Sequence, residues 1–547
     1  MTGRVVVLEA EPAPLAAFRW SGVLDGFEVA VVPAGAAPEG YEDTGTVVVD
    51  GPAVGWSDLA VADLRRAVER GTTLVTTRRG LPLAERLNLV ATGEHLPAAE
   101  YAIRVLDPQD ALVRRRPAET LVHDAPAEIT PRAGLRPLLA TSVHFRDRVI
   151  AAAGRLGAGR VLVLGGAEAT PALASEPYRT LVRRSITGAQ TGNPVRVGIV
   201  GYGPFGGMGY AHGLALAATP GLQLAAVVDP VAERRAAAAE MFPGLHAHAD
   251  LAGLLAGDEI DLAIVATPPV YHAGLCADLL RAGKHVVCEK PLCLTTAEAD
   301  GLLELAADTG RALTVHHNRR FDADFIALTR AVRDGLLGDL FNVETFVGGF
   351  QHPCRAWHSE VAMSGGAVYD WGSHHVDWIL RLLGDRPVGV TMTTHKRVWR
   401  DVTNDDQLRL RLLFADGREA EFLQSDVAAV RRPKFYVQGT RGTAVGWYRE
   451  MASESIEPGL GFVRRVAHHA EAPVDLRVVR YEGDGVLTDT TIAPRPGPAH
   501  AFHANLADHL EFGEPLAVTA QSARDVIAVL EAGTRSAAAG GAVVTPG

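Results

Sequence analysis

Two hydrophobic patterns take turns along this chain. Short β-branched runs alternate with stretches in which apolar positions recur three and four residues apart, as strands and amphipathic helices would. Val5–Leu8, Val29–Val32, Val47–Val49 and Leu74–Thr76 read as strands. Asp58–Glu69 reads as a helix, with Leu59, Leu64 and Val68 on one buried face and Gly71 as its C-cap. Gly159–Gly165 is a further strand and Pro177–Arg184 a helix. The alternation predicts an α/β domain over 1–190 with a largely parallel sheet. The polar, turn-rich Thr187–Pro194 reads as a linker. A second alternating block, 194–318, places strands at Val195–Val200, Leu224–Val228, Asp261–Ala266, His285–Cys288 and Ala312–His316, with helices between them. From 319 to 547 the pattern changes. Leu340–Gly348 is a strand, Gly389–Ala444 has the period-2 alternation of an antiparallel meander, and Glu457–Pro498 reads as irregular. Helices close the chain at His500–Glu511 and Ser522–Ser536.

Chemistry concentrates in the second block. Val195–Val200 runs into Gly201, Gly203 and Gly206, then a helix, then a strand ending at Asp229. Strand, glycine-rich turn, helix, strand and acid is the order of a dinucleotide-binding unit. Gly201 permits the tight turn, and Gly203 lets the backbone approach a pyrophosphate. Pro204 and Phe205 lie in the same loop. The helix N-terminus offers free N–H groups to phosphate, and Asp229 is placed to accept a ribose diol. The acid favours NAD over NADP, because its charge repels a 2′-phosphate; Arg234 and Arg235 stand close enough to soften that preference. Thr267-Pro268-Pro269, followed by His272, and Glu289-Lys290-Pro291 stand at carboxyl ends of later strands, where such sheets bind ligands.

Composition narrows the field. A net charge of −11 without a basic stripe argues against nucleic acid as a partner. The four cysteines, Cys276, Cys288, Cys293 and Cys354, show neither metal spacing nor disulfide density, which fits a reducing compartment. There is no signal-peptide pattern and no apolar run of membrane-spanning length, so a cytoplasmic protein without a membrane partner is expected.

The motifs ATPPVYH, GKHVVCEKPL and HHNRRFD together resemble the Gfo/Idh/MocA oxidoreductase family over about 194–547. The resemblance implies that Lys290 lies beside the nicotinamide and the reacting carbon, with Glu289 near the cofactor. Gly365-Gly366 followed by Asp370, Gly372, His374 and Asp377 resembles the family's second signature. By that likeness Asp370 and His374 contact the reacting hydroxyl with the lysine. On a helix the two are i and i+4, so the carboxylate can orient the imidazole as a general base. Arg319, Trp357 and His358 are candidate substrate contacts, and no metal is indicated. One departure stands out. A histidine commonly follows the family's third glycine by three residues; counted from Gly206, that offset holds Gly209, and His212 comes three later. The resemblance also implies a homodimer or homotetramer through the C-terminal sheet.

VERGTTLV and LGAGRVLVLGG…YRTLVRRSITGA resemble ThuA-like domains, flavodoxin-like relatives of class I glutamine amidotransferases. That chemistry needs a cysteine nucleophile, and none precedes Cys276. Glu9, Asp50, His95, His123 and His144 are read as ordinary polar residues or remnants of a site, and the domain as a scaffold or ligand sensor. The expected fold is therefore α/β: a flavodoxin-like domain, a Rossmann domain at 194–318, and a C-terminal α+β domain at 319–547 with an open, mainly antiparallel sheet. The expected reaction is hydride transfer between NAD (NADP less so) and a secondary alcohol of a sugar, inositol or other polyol. Two alternatives share the fold: redox-neutral, NAD-dependent glycoside cleavage, and a non-catalytic nucleotide and sugar sensor.

Overall fold

The computed structural model describes residues 4–9, 19–20, 22–33, 44–52, 55–132, 134–168, 170–188, 194–204, 207–354, 356–468 and 472–547. The chain divides into two compact units, Met1–Asn193 with Asp508–Glu514, and Pro194–Ala507 with Pro515–Gly547.

The first unit is built on one nine-stranded sheet. Its parallel half uses β1 (Arg4–Glu9), β2 (Val29–Pro33), β3 (Thr44–Asp50), β4 (Thr73–Thr76) and, from later in the chain, Gly159–Leu164. These are the β-branched runs; β3, β4 and the later strand are buried on both faces under helices, while β2, at the sheet edge, stays partly exposed. The helix Asp58–Arg70 is capped by Ser57 and closed by Gly71 at φ 136°. Its buried face is Val61, Leu64, Ala67 and Val68. Leu59, expected on that face, is 68% exposed. Five residues before Leu64 it sits about 140° round the helix, so only the i, i+3 and i+4 neighbours share the stripe. The expectation of a largely parallel sheet also needs correction. Between Leu89 and Leu156 the chain forms β5 (Val90–His95), β6 (Ala99–Val105), β7 (Glu119–Asp124), β8 (Ala127–Pro131), β9 (Arg136–Val143) and β10 (Arg146–Leu156). With β11 (Gly159–Leu164) the main sheet runs β2-β1-β3-β4-β11-β10-β9-β6-β7, and its second half is antiparallel. No helical period separates these strands in sequence, and antiparallel neighbours need none.

The second unit opens with a six-stranded parallel sheet in the order β14-β13-β12-β15-β16-β17. Its strands are β12 (Val195–Val200), β13 (Leu222–Val228), β14 (His246–His248), β15 (Leu262–Val265), β16 (His285–Cys288) and β17 (Leu313–Val315). The order reverses at β12, which sets a crevice beyond the carboxyl ends of β12 and β15. The eight-stranded sheet holds β18 (Leu340–Gly348), β19 (Gly389–His395), β20 (Gln407–Leu413), β21 (Glu419–Ser425), β22 (Phe435–Gly439), β23 (Gly442–Gly446) and, beyond β23, β26 (Leu476–Gly483) and β27 (Val486–Ile492). It is not a simple meander, because β18 lies between β21 and β22 and runs parallel to β21. The crossover that a parallel pair requires carries the helix Gly372–Leu383. The stretch expected to be irregular forms two hairpins, β24 (Glu450–Glu457) with β25 (Gly461–His468), and β26 (Leu476–Gly483) with β27 (Val486–Ile492). Its glycines mark tight turns: Asp484 and Gly485 take φ of 49° and 77°, the Asp-Gly hairpin loop.

Candidate active site

The glycine-rich turn after β12 is shaped by contacts that only glycine permits. Gly201 has φ 91°, and a Cβ there would meet the Ala266 carbonyl oxygen at 2.8 Å. Gly203, at φ 73°, has open space where a Cβ would stand. Phe205 and Gly206 lie outside the described residues, and the helix Met208–Ala218 begins after Gly207, whose position carries no side-chain cap. The close helix-to-loop packing falls on Gly209, whose added Cβ would lie 2.2 Å from the Tyr202 carbonyl oxygen. Gly209 therefore does what the third glycine of such turns does, and His212 follows it by three residues. The loop is longer than the spacing suggests, and the apparent departure at His212 disappears.

Asp229, at the end of β13, is buried beneath this loop. Its carboxylate accepts the N–H of Gly203 at 2.9 Å and of Val231 at 2.9 Å, with Arg234 at 3.7 Å. Thr267 Oγ1 is buried with no hydrogen-bond partner among the described residues. Open space over Gly203, an uncapped helix start, a carboxylate at the strand end and an orphaned hydroxyl on the neighbouring strand end fit a dinucleotide. Pro268 leads into the 3-10 turn Pro269–Tyr271. His272, expected against the cofactor, is fully buried instead. Its Nε2 is 2.7 Å from the Thr267 carbonyl and its Nδ1 2.7 Å from the Pro291 carbonyl. It ties two strand-end loops together from below. Burial pushes its pKa down against the pull of both carbonyls.

Glu289 is also buried; two histidines contact its Oε1, a third stands behind one of them, and its Oε2 accepts the Lys290 N–H at 3.1 Å. Its Oε1 is 2.9 Å from His212 Nε2 and 2.7 Å from His316 Nδ1, while His212 Nδ1 is 2.9 Å from His503 Nε2. Burial raises the Glu289 pKa, but the charge of His316 and the hydrogen bonds of both histidines hold it well below the usual carboxylate range. Burial keeps His212 and His503 neutral. One tautomer set then satisfies the chain: His503 Nε2–H donates to His212 Nδ1, and His212 Nε2–H and His316 Nδ1–H donate to Glu289. The three imidazoles have nitrogens within 4.8 Å of one another. Spacing in sequence suggested neither His316 nor His503 as a partner of Glu289.

Lys290 follows across a cis bond to Pro291. Its Nζ is 2.6 Å from Asp370 Oδ1 and 3.3 Å from the Asp370 carbonyl oxygen, and both side chains are partly open to solvent. Burial pushes the Asp370 carboxyl up; Lys290 above all, then His358 and Arg319, outweigh it and hold the group low. The helix expected to carry Asp370 and His374 on one face is broken: Ala367–Asp370 ends, Trp371 intervenes, and Gly372–Leu383 begins. Asp370 pairs with the lysine, and no hydrogen bond joins it to His374. His374 Nδ1 is buried without a hydrogen-bond partner. Burial, with the charges of Lys290 and Arg319, keeps His374 well below the ordinary imidazole pKa. His317 lies edge-on to His374 at 6.4 Å between ring centroids, and burial lowers it to about 4. Asp377, beyond His374, is taken by Arg320.

Around this pair the remaining candidates gather. Arg319 lies 4.9 Å over the Trp371 ring. Trp357 and His358 stack with ring centroids 3.7 Å apart. Asp426, with no sequence signal, is pushed up to about 7 by burial and by the charges of Asp406 and Asp370.

Residues 195–317 match the model of the oxidoreductase family with an NAD-binding Rossmann fold, and 325–445 match the GFO/IDH/MocA C-terminal domain. An inositol 2-dehydrogenase of Rhizobium meliloti is 30% identical over 280 residues, covering 50% of this chain and 82% of that enzyme. The chain belongs to the Gfo/Idh/MocA oxidoreductase family. A scyllo-inositol 2-dehydrogenase (NADP(+)) of Bacillus subtilis, IolW, is 25% identical, covering 64% of this chain and 96% of that one. A solved NAD-binding protein of Listeria innocua superposes with a TM-score of 0.54 at 26% identity, over 64% of this chain and 97% of its own. As a Gfo/Idh/MocA member the protein is an oxidoreductase that uses a nicotinamide cofactor, and no helix among the described residues is long and apolar enough to cross a membrane.

Proposed function

We propose that the protein transfers hydride between NAD and a secondary alcohol of an inositol, sugar or related polyol. The observation that carries this reading is the Lys290–Asp370 pair at 2.6 Å, on a loop that follows the same sheet's carboxyl edge as the glycine-rich turn. The nicotinamide, when bound, takes or supplies the hydride. Lys290 is placed to hold the substrate oxygen and to favour its anionic form electrostatically. Asp370 keeps the ammonium aimed. His374, held below the ordinary imidazole pKa by burial, would take the hydroxyl proton. Trp357, His358 and Arg319 would line the substrate side.

Preference for NAD is supported by Asp229 at the end of β13, whose carboxylate would repel a 2′-phosphate. The polyol class is supported by the inositol dehydrogenases among the relatives. Assembly as a homodimer or homotetramer would use the second unit's sheet, where Phe341, Trp447 and Leu487 are exposed. The ThuA-like reading of the first unit makes it a non-catalytic scaffold or a ligand-sensing module. The test is a panel of inositols, sugars and aminosugars assayed by nicotinamide absorbance with each cofactor. Turnover of a polyol with NAD supports the reading. Binding of NAD and a sugar with no turnover of any panel member would replace it with a sensor.

A further inference from the structure

The first unit carries a cleft that its scaffold reading does not use. It has a volume of about 550 Å³ and is lined by Arg78, Arg79, Glu85, Thr92, His95 and Glu168, with Pro52, Leu81 and Pro82 as its apolar wall. That volume suits a small metabolite. The cleft lies beyond the carboxyl ends of three adjacent parallel strands. Asp50 ends β3, Thr76 ends β4 and Leu164 ends β11, and the segments that follow supply Pro52, Arg78 with Arg79, and Glu168. Open parallel sheets bind ligands there.

Its walls are held by groups that are costly to bury. Arg19 and Asp50 form a buried ion pair, and Thr77 Oγ1 donates to the same carboxylate. Arg19 also donates to the Glu168 carbonyl at 2.9 Å and the Ala167 carbonyl at 2.7 Å. From the other side the buried Asp124 accepts the N–H of Ala167 at 2.8 Å and of Glu168 at 3.1 Å. Between these clamps Ala167 is forced to φ 65°, a left-handed conformation that alanine avoids. Two buried charged groups and a strained alanine thus fix the backbone that presents Glu168. Such strain persists where the surroundings over-determine it, and it concentrates at ligand sites.

The chemistry at the mouth is that of an anion already imitated by the chain. Arg78 Nη1 is 2.6 Å from Glu168, and Arg79 Nε is 3.9 Å from its other oxygen. Arg78 Nη2 donates to His95 Nδ1 at 3.1 Å, which makes that nitrogen an acceptor. Arg78 Nε is buried with no hydrogen-bond partner among the described residues, and so is Thr92 Oγ1. Glu85, the second acid, is occupied by the Thr92 N–H at 2.7 Å. We propose that this cleft binds a small metabolite bearing a carboxylate or phosphate group, which takes the place of the Glu168 carboxylate against Arg78 and Arg79. The Thr92 hydroxyl then serves the ligand's polar body, and Pro52, Leu81 and Pro82 its carbon skeleton.

The test is calorimetric titration of the full chain, saturated with NAD so that the glycine-rich turn is filled. Glucuronate represents the carboxylate source, inorganic phosphate the phosphate source, and glucose the neutral control. The expected result is one site per chain for glucuronate or phosphate that depends on Arg78 and Arg79, and no arginine-dependent site for glucose. Arg79→Gln and Arg78→Gln should each weaken binding about tenfold, the loss of one charge-assisted contact. Glu168→Gln should strengthen it several-fold, because the competing internal anion is gone. A variant that fails to fold is replaced by the other arginine variant, whose loss of binding must then stand with native circular dichroism. Absence of binding for both anions, binding indifferent to the arginines, or weaker binding in Glu168→Gln would each overturn the proposal. The last of these would make Glu168 an acceptor for ligand hydroxyls.

Discussion

Lys290→Met removes the charge on which the proposed reaction most depends. In the wild type the ammonium sits 2.6 Å from Asp370 Oδ1, so it is aimed before substrate arrives. Removing one preorganised charged donor from a developing oxyanion costs about 3–4 kcal/mol, or roughly 10²–10³ in kcat. The Met side chain is of similar length and carries no donor. The described residues of the nucleotide turn make no hydrogen bond to Lys290, so NAD affinity should change no more than a few fold. Asp370 then loses the partner that holds its pKa down. With only His358 and Arg319 left to oppose it, burial should raise it, at a cost of about 1–3 kcal/mol in stability. Asp370→Asn tests the coupling. If the carboxylate acts by aiming Lys290, the double variant should be little slower than Lys290→Met alone, a coupling of about 0.5–3 kcal/mol. Single-turnover hydride transfer, read by nicotinamide absorbance, measures all three variants. Near-normal transfer in Lys290→Met would refute the site; simple multiplication of the two single effects would refute the pairing.

Four further outcomes follow from particular contacts. Gly209→Ala places a Cβ 2.2 Å from the Tyr202 carbonyl oxygen and should weaken NAD binding by about 1–3 kcal/mol, seen by fluorescence titration; unchanged affinity would deny that Gly209 packs the helix onto the turn. Asp229→Ser should raise the affinity for NADP relative to NAD by about tenfold, checked by titrating both; no shift would mean the acid does not select the cofactor. His317 titrates near 4 when folded and, in the unfolded chain, near the ordinary imidazole value of about 6.5, so the unfolded state binds the extra proton between them. Its contribution is complete above pH 6.5 and is lost as pH falls to 4, about 1.4 kcal/mol per unit and roughly 3 kcal/mol in all; urea unfolding of wild type against His317→Asn should show that difference in slope, and parallel curves would exclude it. Asp508, buried with Arg115 and Arg184 at 2.7 Å each, should cost about 3–5 kcal/mol when changed to Asn, and a fragment ending at residue 193 should unfold more readily than the first unit of the full chain, both by thermal denaturation.

What sequence reveals here depends on how far apart the interacting residues are. The strands β12, β15 and β16 were legible because burial on both faces leaves an uninterrupted apolar run, and the turn after β12 because its glycines are local necessities. Local spacing also misled. Asp370 and His374 satisfy i and i+4, yet the helix breaks at Trp371 and the carboxylate turns to a lysine 80 residues earlier. Periodicity describes a face; it does not choose between two partners that both lie near that face.

The buried charge at Glu289 shows what lies beyond any local pattern. Next to Lys290 it reads as a companion of the cofactor, but its Oε1 is held by His212 and His316 from 77 and 27 residues away, its Oε2 accepts the Lys290 N–H, and His503 stands 291 residues from His212. A carboxylate in this position would otherwise have to protonate, since burial alone raises its pKa. Three elements of the unit must therefore converge before Glu289 can stay ionised, and only the folded chain supplies them. The same convergence explains why His212 falls on the first helix of the nucleotide turn at all. Its distance from Gly209, not from Gly206, sets the imidazole over Glu289, so the glycine that seats the helix also aims the histidine. Seating and aiming are one constraint, and an insertion in the loop before Gly209 leaves it intact. A change at Gly209 would therefore disturb the acid beside Lys290 as well as the phosphate turn.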